Sequence, residues 1–171
     1  DVYKRQNHTL SLSAGTGGTV SGGGSYGYGT SAGITATPDT GYSFNGWSGT
    51  GVTDTSAAST TVSMTSDRTV NASFSQINHT LSLSAGTGGT VSGGGTYGYG
   101  TNATITATPS TGYSFNGWSG TGVTDTSAAS TTVSMTSDRS VSASFSLINH
   151  TLSLSAGTVS YTHLRAHETQ R

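Results

Sequence analysis

The sequence predicts an all-β protein made of tandem small antiparallel β-modules, each a small sandwich or a sheet curled over itself. Three observations predict it. The run that opens at Asn7-His8-Thr9-Leu10 returns at Asn78 and starts again at Asn149, a period of 71 residues. A fixed period of this length marks a repeat architecture. Apolar residues alternate with Ser and Thr at a period of two between glycines, and no segment sustains a 3.6-residue apolar period. The alternating positions are rich in Thr, Val, Ile and aromatics, which suit a pleated, half-buried surface.

Within the first repeat, Leu10, Leu12 and Ala14 alternate with Ser11 and Ser13, and Gly15-Thr16-Gly17-Gly18 turns the chain. Thr19-Val20-Ser21 is a short second strand, broken by Gly22-Gly23-Gly24. Tyr26 and Tyr28 share one face around Gly27. Ile34 and Ala36 alternate with Thr35 and Thr37 until Pro38, which has no N–H, ends the ladder. Tyr42 and Phe44 share a face ahead of Gly46-Trp47, and a polar loop runs from Ser48 to about Ser59. Val62 and Met64 alternate with Thr61, Ser63 and Thr65; Thr65-Ser66-Asp67-Arg68 turns; Val70, Ala72 and Phe74 close the repeat. This gives five or six short antiparallel strands per copy. The expected core is Leu10, Leu12, Val20, Ile34, Ala36, Tyr42, Phe44, Trp47, Val62, Met64, Val70, Ala72 and Phe74. In the second copy it includes Leu81, Leu83, Ile105, Tyr113, Phe115, Trp118, Val133, Met135, Val141 and Phe145.

The pattern divides the chain into repeat 1 at 7–77, repeat 2 at 78–148 and a truncated start of a third copy at 149–158. The two full copies differ only at Ser25/Thr96, Ser31/Asn102, Gly33/Thr104, Asp39/Ser110, Thr69/Ser140, Asn71/Ser142 and Gln76/Leu147, and no aromatic residue changes. Segments 1–6 and 159–171 depart from the pattern and hold four of the six basic residues. They resemble translated sequencing-adapter read-through and are set aside, so His163, His167 and Glu168 are not offered as a metal or catalytic cluster. The join Phe74–Leu81 contains neither Gly nor Pro, unlike a flexible linker. It predicts restricted motion, with each copy adding on the order of 30 Å to a rod. The truncated 149–158 segment holds a first strand without its partners. It is expected to be loosely ordered or added to a sheet edge.

Charged residues make up 8% of the chain, its net charge is −1 and cysteine is absent. Without clustered Lys or Arg there is nothing to neutralise phosphates, which excludes nucleic acid as a partner. No apolar run reaches the length of a membrane span. Neither a disulfide nor a thiolate site is available.

Catalysis by acid and base needs paired groups with tuned pKa values in one pocket. The repeats offer only Asp39, Asp54, Asp67, Asp125 and Asp138, all read as turn or cap residues, and no glutamate. His8, His79 and His150 recur one domain apart, too far for shared zinc ligation, and read as exposed strand-start residues. The glycine runs lack the Lys-Ser/Thr of a phosphate loop, and the calcium-loop spacing is absent. No catalytic residue, cofactor or metal is therefore expected, and the chain is not expected to be an enzyme. The candidate ligand contacts are Tyr26, Tyr28, Tyr97 and Tyr99, which could stack on a sugar ring. The competing reading packs them across a neighbouring strand or onto the next repeat.

Five motifs carry a family resemblance: Gly17 to Val20, Tyr26 to Gly29, Ile34 to Pro38, Gly41 to Gly49 and Met64 to Phe74. They recur at Gly88 to Val91, Tyr97 to Gly100, Ile105 to Pro109, Gly112 to Gly120 and Met135 to Phe145. In order and spacing the chain resembles the divergent internalin B-repeat family of bacterial surface repeats over nearly all of residues 7–148. The resemblance implies a compact β-rich module, β-grasp-like in arrangement, in a secreted or cell-wall-attached protein, and no catalytic activity. The expected function is a structural spacer that presents other domains away from the wall, with neighbouring repeats as its first partners. The alternative is an adhesin module that binds carbohydrate or a host surface through its repeated tyrosines, with avidity from repetition.

Overall fold

The computed structural model describes residues 6–155 and 157. The terminal segments at 1–5 and 158–171, with His163, His167 and Glu168, lie outside the described residues. Each repeat contributes seven strands. In the first these are β1 (Asn7–Ala14), β2 (Gly18–Ser21), β3 (Gly24–Gly27), β4 (Thr30–Pro38), β5 (Tyr42–Gly49), β6 (Ser59–Met64) and β7 (Arg68–Gln76). The second repeats them as β8 (Asn78–Ala85), β9 (Gly89–Ser92), β10 (Gly95–Gly98), β11 (Thr101–Pro109), β12 (Tyr113–Gly120), β13 (Ser130–Met135) and β14 (Arg139–Leu147). No helix occurs among the described residues, so none is long and apolar enough to cross a membrane.

Each repeat folds into two sheets, one of four strands in the order β3-β1-β7-β5 and one of three in the order β2-β4-β6. A single core lies between them. Leu10, Trp47, Val70 and Ala72 reach it from the four-stranded sheet, and Ala32, Ile34, Ala36, Val62 and Met64 from the three-stranded one. Period-two alternation sends the intervening Ser and Thr to solvent, as in β4, where Ala32, Ile34 and Ala36 are buried and Ser31, Gly33 and Thr37 are exposed. Among the expected architectures the module is the small sandwich, neither a sheet curled over itself nor the β-grasp-like arrangement. The second repeat builds the same core from its equivalents.

The expected antiparallel pairing holds for every strand pair of each repeat but one. The first and last strands of each repeat run parallel, with Leu10 opposite Arg68 and Ala14 opposite Ala72, and Leu81 opposite Arg139 in the second copy. Parallel neighbours need a long crossover, and here strands β2 to β6 are that crossover. Strand pairs so far apart in sequence leave no local signature.

Several core expectations are also corrected. Leu12, Val20, Phe44 and Phe74 are only partly buried, packed against the core from its edge, as are Leu83, Val91, Phe115 and Phe145. Tyr42 and Tyr113 are half-buried too, each with its ring over a glycine. A Cβ on Gly17 would overlap the Tyr42 ring, and one on Gly18 would overlap Phe74. These aromatics lie on bare backbone at the open end of the sandwich, where a 71-residue unit has too little chain to cover them. Conversely, Ala32 and Ala103 are fully buried and were missed, because β4 and β11 begin four residues before the Ile34 and Ile105 alternation becomes apparent.

Phe44 and Trp47 are three apart, so strict alternation would put them on opposite faces. A bulge between Phe44 and Gly46 restores them to one side: Phe44 faces Phe74, whereas Gly46 faces Ser73 and Trp47 faces Ala72. Their rings then meet edge to face at 5.5 Å, and Phe44 meets Phe74 at 5.9 Å. The indole N–H of Trp47 donates to the Ala57 carbonyl at 3.0 Å, tying the 50–58 loop over the core.

In the truncated third copy, residues 149–155 form no strand and are exposed, with Leu152 and Leu154 bare. In the complete repeats the corresponding strand is held by the third and seventh strands of its own module.

Leu10 and Leu12 share a strand face but not a burial depth, which gives a test. Leu10→Ala is expected to cost about 2–5 kcal/mol in urea unfolding, the range for a filled core site. Leu12→Ala should cost less than half as much. Equal losses would contradict the two-sheet core.

Candidate functional site

The join between the repeats is a single residue, Ile77, between the end of β7 and the start of β8. Both of its backbone groups are engaged, one by each module. Its N–H donates to the Gly41 carbonyl of repeat 1 at 2.8 Å, and its own carbonyl accepts from the Tyr99 N–H of repeat 2 at 2.8 Å. The Gln76 amide donates to the Tyr99 carbonyl at 3.4 Å. The Tyr99 ring lies on the Gly41 turn, and Gly98 lies against the Gln76 side chain. The backbone pattern is repeated at both ends: Tyr28 donates to the Gln6 carbonyl at 2.8 Å, and Ile148 donates to Gly112 at 2.8 Å.

The four candidate tyrosines fall into two pairs with different surroundings. Tyr26 and Tyr97 are half-buried against the cores, and their hydroxyls donate to the Gly22 and Gly93 carbonyls at 2.8 and 2.7 Å. They do not form an exposed face with their neighbours, because their own rings pack against the cores. Tyr99 is the residue that packs onto the preceding repeat. Tyr28 occupies the same position in repeat 1 and is 42% exposed. Each of this second pair also tilts against a histidine ring, His8–Tyr28 at 6.0 Å and His79–Tyr99 at 6.1 Å.

These histidines are not the exposed strand-start residues that the sequence led us to expect. Their side chains are only 18% and 19% exposed, with Nδ1 3.4 Å from an oxygen of Asp67 and Asp138 respectively. The same carboxylate oxygens accept from the backbone N–H of Thr9 and Thr80 at 2.8 Å. Each aspartate thus clips the start of a repeat's first strand to the turn that leads into its last. The arginine that follows is also structural: Arg68 donates to the Ser63 carbonyl and to the Thr50 and Thr65 hydroxyls, as Arg139 does in the second copy. Asp54 and Asp125 close their loops by accepting from both the backbone N–H and the hydroxyl of Ser56 and Ser127. Among the described residues no three His, Asp or Glu side chains gather as a set of metal ligands.

These bonds set an acid dependence. The Ser56 and Ser127 hydroxyls, then their N–H groups, hold the Asp54 and Asp125 carboxyls below the usual 3.8. The Thr80 N–H, with a smaller share from His79, does the same for Asp138. A carboxyl whose folded pKa is depressed stabilises the fold above its unfolded pKa, and that stability is lost as pH falls through the folded value. The urea midpoint should therefore fall as pH drops below about 4. The Asp54→Asn/Asp125→Asn variant should show a shallower fall over the same window, and an unchanged slope would sink the assignment.

No curated protein and no solved structure matched the chain. The divergent InlB B-repeat domain matched twice, over residues 8–78 and 79–149. These spans follow the 71-residue period and meet between Asn78 and His79, one residue into β8. With both complete repeats covered, the chain belongs to the divergent InlB B-repeat family.

Proposed function

We propose that this chain is a non-catalytic spacer from a repeat-bearing protein of the bacterial surface or secreted fraction, and that it holds other domains away from the wall. The observation that carries the reading is the parallel pairing of first and last strands. Because β1 and β7 run the same way, the chain enters a module at one end of this pair and leaves at the other. Asn7 lies three residues before the Leu10–Arg68 level and Gln76 eight residues beyond it, so each module advances the chain by about 36 Å at about 3.3 Å per residue. An antiparallel pair would have returned the chain to its starting end. The one-residue join, bonded on both sides, supports transmission of that advance from copy to copy. Family membership supports a repeat of a surface protein with neighbouring repeats as partners.

The adhesin reading rests on repeated exposed tyrosines, and the inward turn of Tyr26 and Tyr97 takes away half of them. Small-angle X-ray scattering tests the spacer reading. Two modules in line should give a maximum dimension of about 70–80 Å. A value near that of a single globule of this mass would overturn it. Saturable binding of a soluble polysaccharide, lost in Tyr28→Ala, would favour the adhesin instead.

A further inference from the structure

Gly41 and Gly112 are the same residue in successive copies, each in a Thr-Gly-Tyr turn with nearly the same backbone angle, φ 82° and 83°. Their surroundings differ. Gly41 is buried under the Tyr99 ring of the following repeat, and a Cβ there would overlap the ring carbons. Gly112 is exposed, and no described atom lies within 4 Å of where its Cβ would be. The backbone around Gly112 is nevertheless already in the receiving shape, since Ile148 donates to its carbonyl as Ile77 does to that of Gly41. The flanking surface is apolar as well. Where Gln76 lies against Gly98 at the filled join, the second copy carries Leu147, 62% exposed, beside Ile148, 47% exposed.

We propose that the Gly112–Leu147–Ile148 face is a docking surface for a further copy of this same module. That copy's tyrosine, equivalent to Tyr99, would sit on Gly112, and its glycine equivalent to Gly98 would sit on Leu147. The join between repeats 1 and 2 is the template. The glycine is needed twice over, for the left-handed turn and for the bare surface that takes an aromatic ring. The tyrosine and glycine thus act as a knob and socket that fix the orientation of one copy on the next. The inference holds whether the array serves as a spacer or an adhesin.

Paired substitutions in the full chain test it. Gly41→Ala and Gly112→Ala carry the same turn strain, so any difference between them reads the docked ring. Gly41→Ala should lower Tm by at least about 3 °C more than Gly112→Ala. In a Tyr99→Ala background that difference should vanish. When residues 78–148 are appended again after Ile148, Gly112→Ala should become as costly as Gly41→Ala, and the Gly112 amide should gain protection from hydrogen exchange. Equal losses from the two glycines in the original chain, or a Gly112 that stays unprotected in the extended one, would overturn the proposal.

Discussion

Each module depends on the parallel ladder between its first and last strands. It places Val70 opposite Leu12 and Ala72 opposite Ala14 at the middle of the four-stranded sheet, so the core needs chain segments 58 residues apart to meet. Closing that loop carries a larger chain-entropy cost than closing the local hairpins. The ladder is reinforced at its entry by Asp67, which takes the Thr9 N–H, and Asp138 does the same in the second copy. The same constraint sets the direction of travel. A module whose outer strands are parallel hands the chain on at its far end, so the topology that closes the core also makes tandem copies advance.

The aromatic residues show how a small domain manages with little chain. Trp47 alone among the large aromatics of repeat 1 is buried, and it gets there through a bulge. Tyr42, Phe44 and Phe74 instead spread over the open end of the sandwich, lying on one another and on glycine backbone. Glycine here serves as surface. The absence of a side chain lets a ring approach the main chain, and dispersion contacts replace the cover a larger domain would supply. Gly41 beneath Tyr99 extends this device from the inside of a module to the contact between modules.

Charge has a narrow role in this molecule. Asp54, Asp67, Asp125 and Asp138, with Arg68 and Arg139, bind backbone groups and hydroxyls at turns, so they fix loop geometry and leave the broad sheet faces to Ser and Thr. Cross-strand hydroxyl pairs such as Thr53–Thr61 and Ser43–Ser75 decorate those faces. They give a polar surface without net charge.

The sequence by itself determined the repeat period, the all-β class, the family, most of the buried positions and the turn placement of Asp54 and Asp67. Those are local or periodic properties: alternation, turn residues and a motif order that can be read within a few residues. Tertiary structure decided the rest. The parallel pairing of β1 with β7 joins segments with no local relation, so alternation could suggest strands but not their direction. The burial of Ala32 and the partial exposure of Phe44 and Phe74 depend on which part of a strand the opposite sheet covers. The different burial of Tyr26 and Tyr28 depends on how far along β3 the core extends. The contact of Tyr99 with Gly41 exists only because one repeat follows another across a single residue, and no reading of an isolated copy contains it.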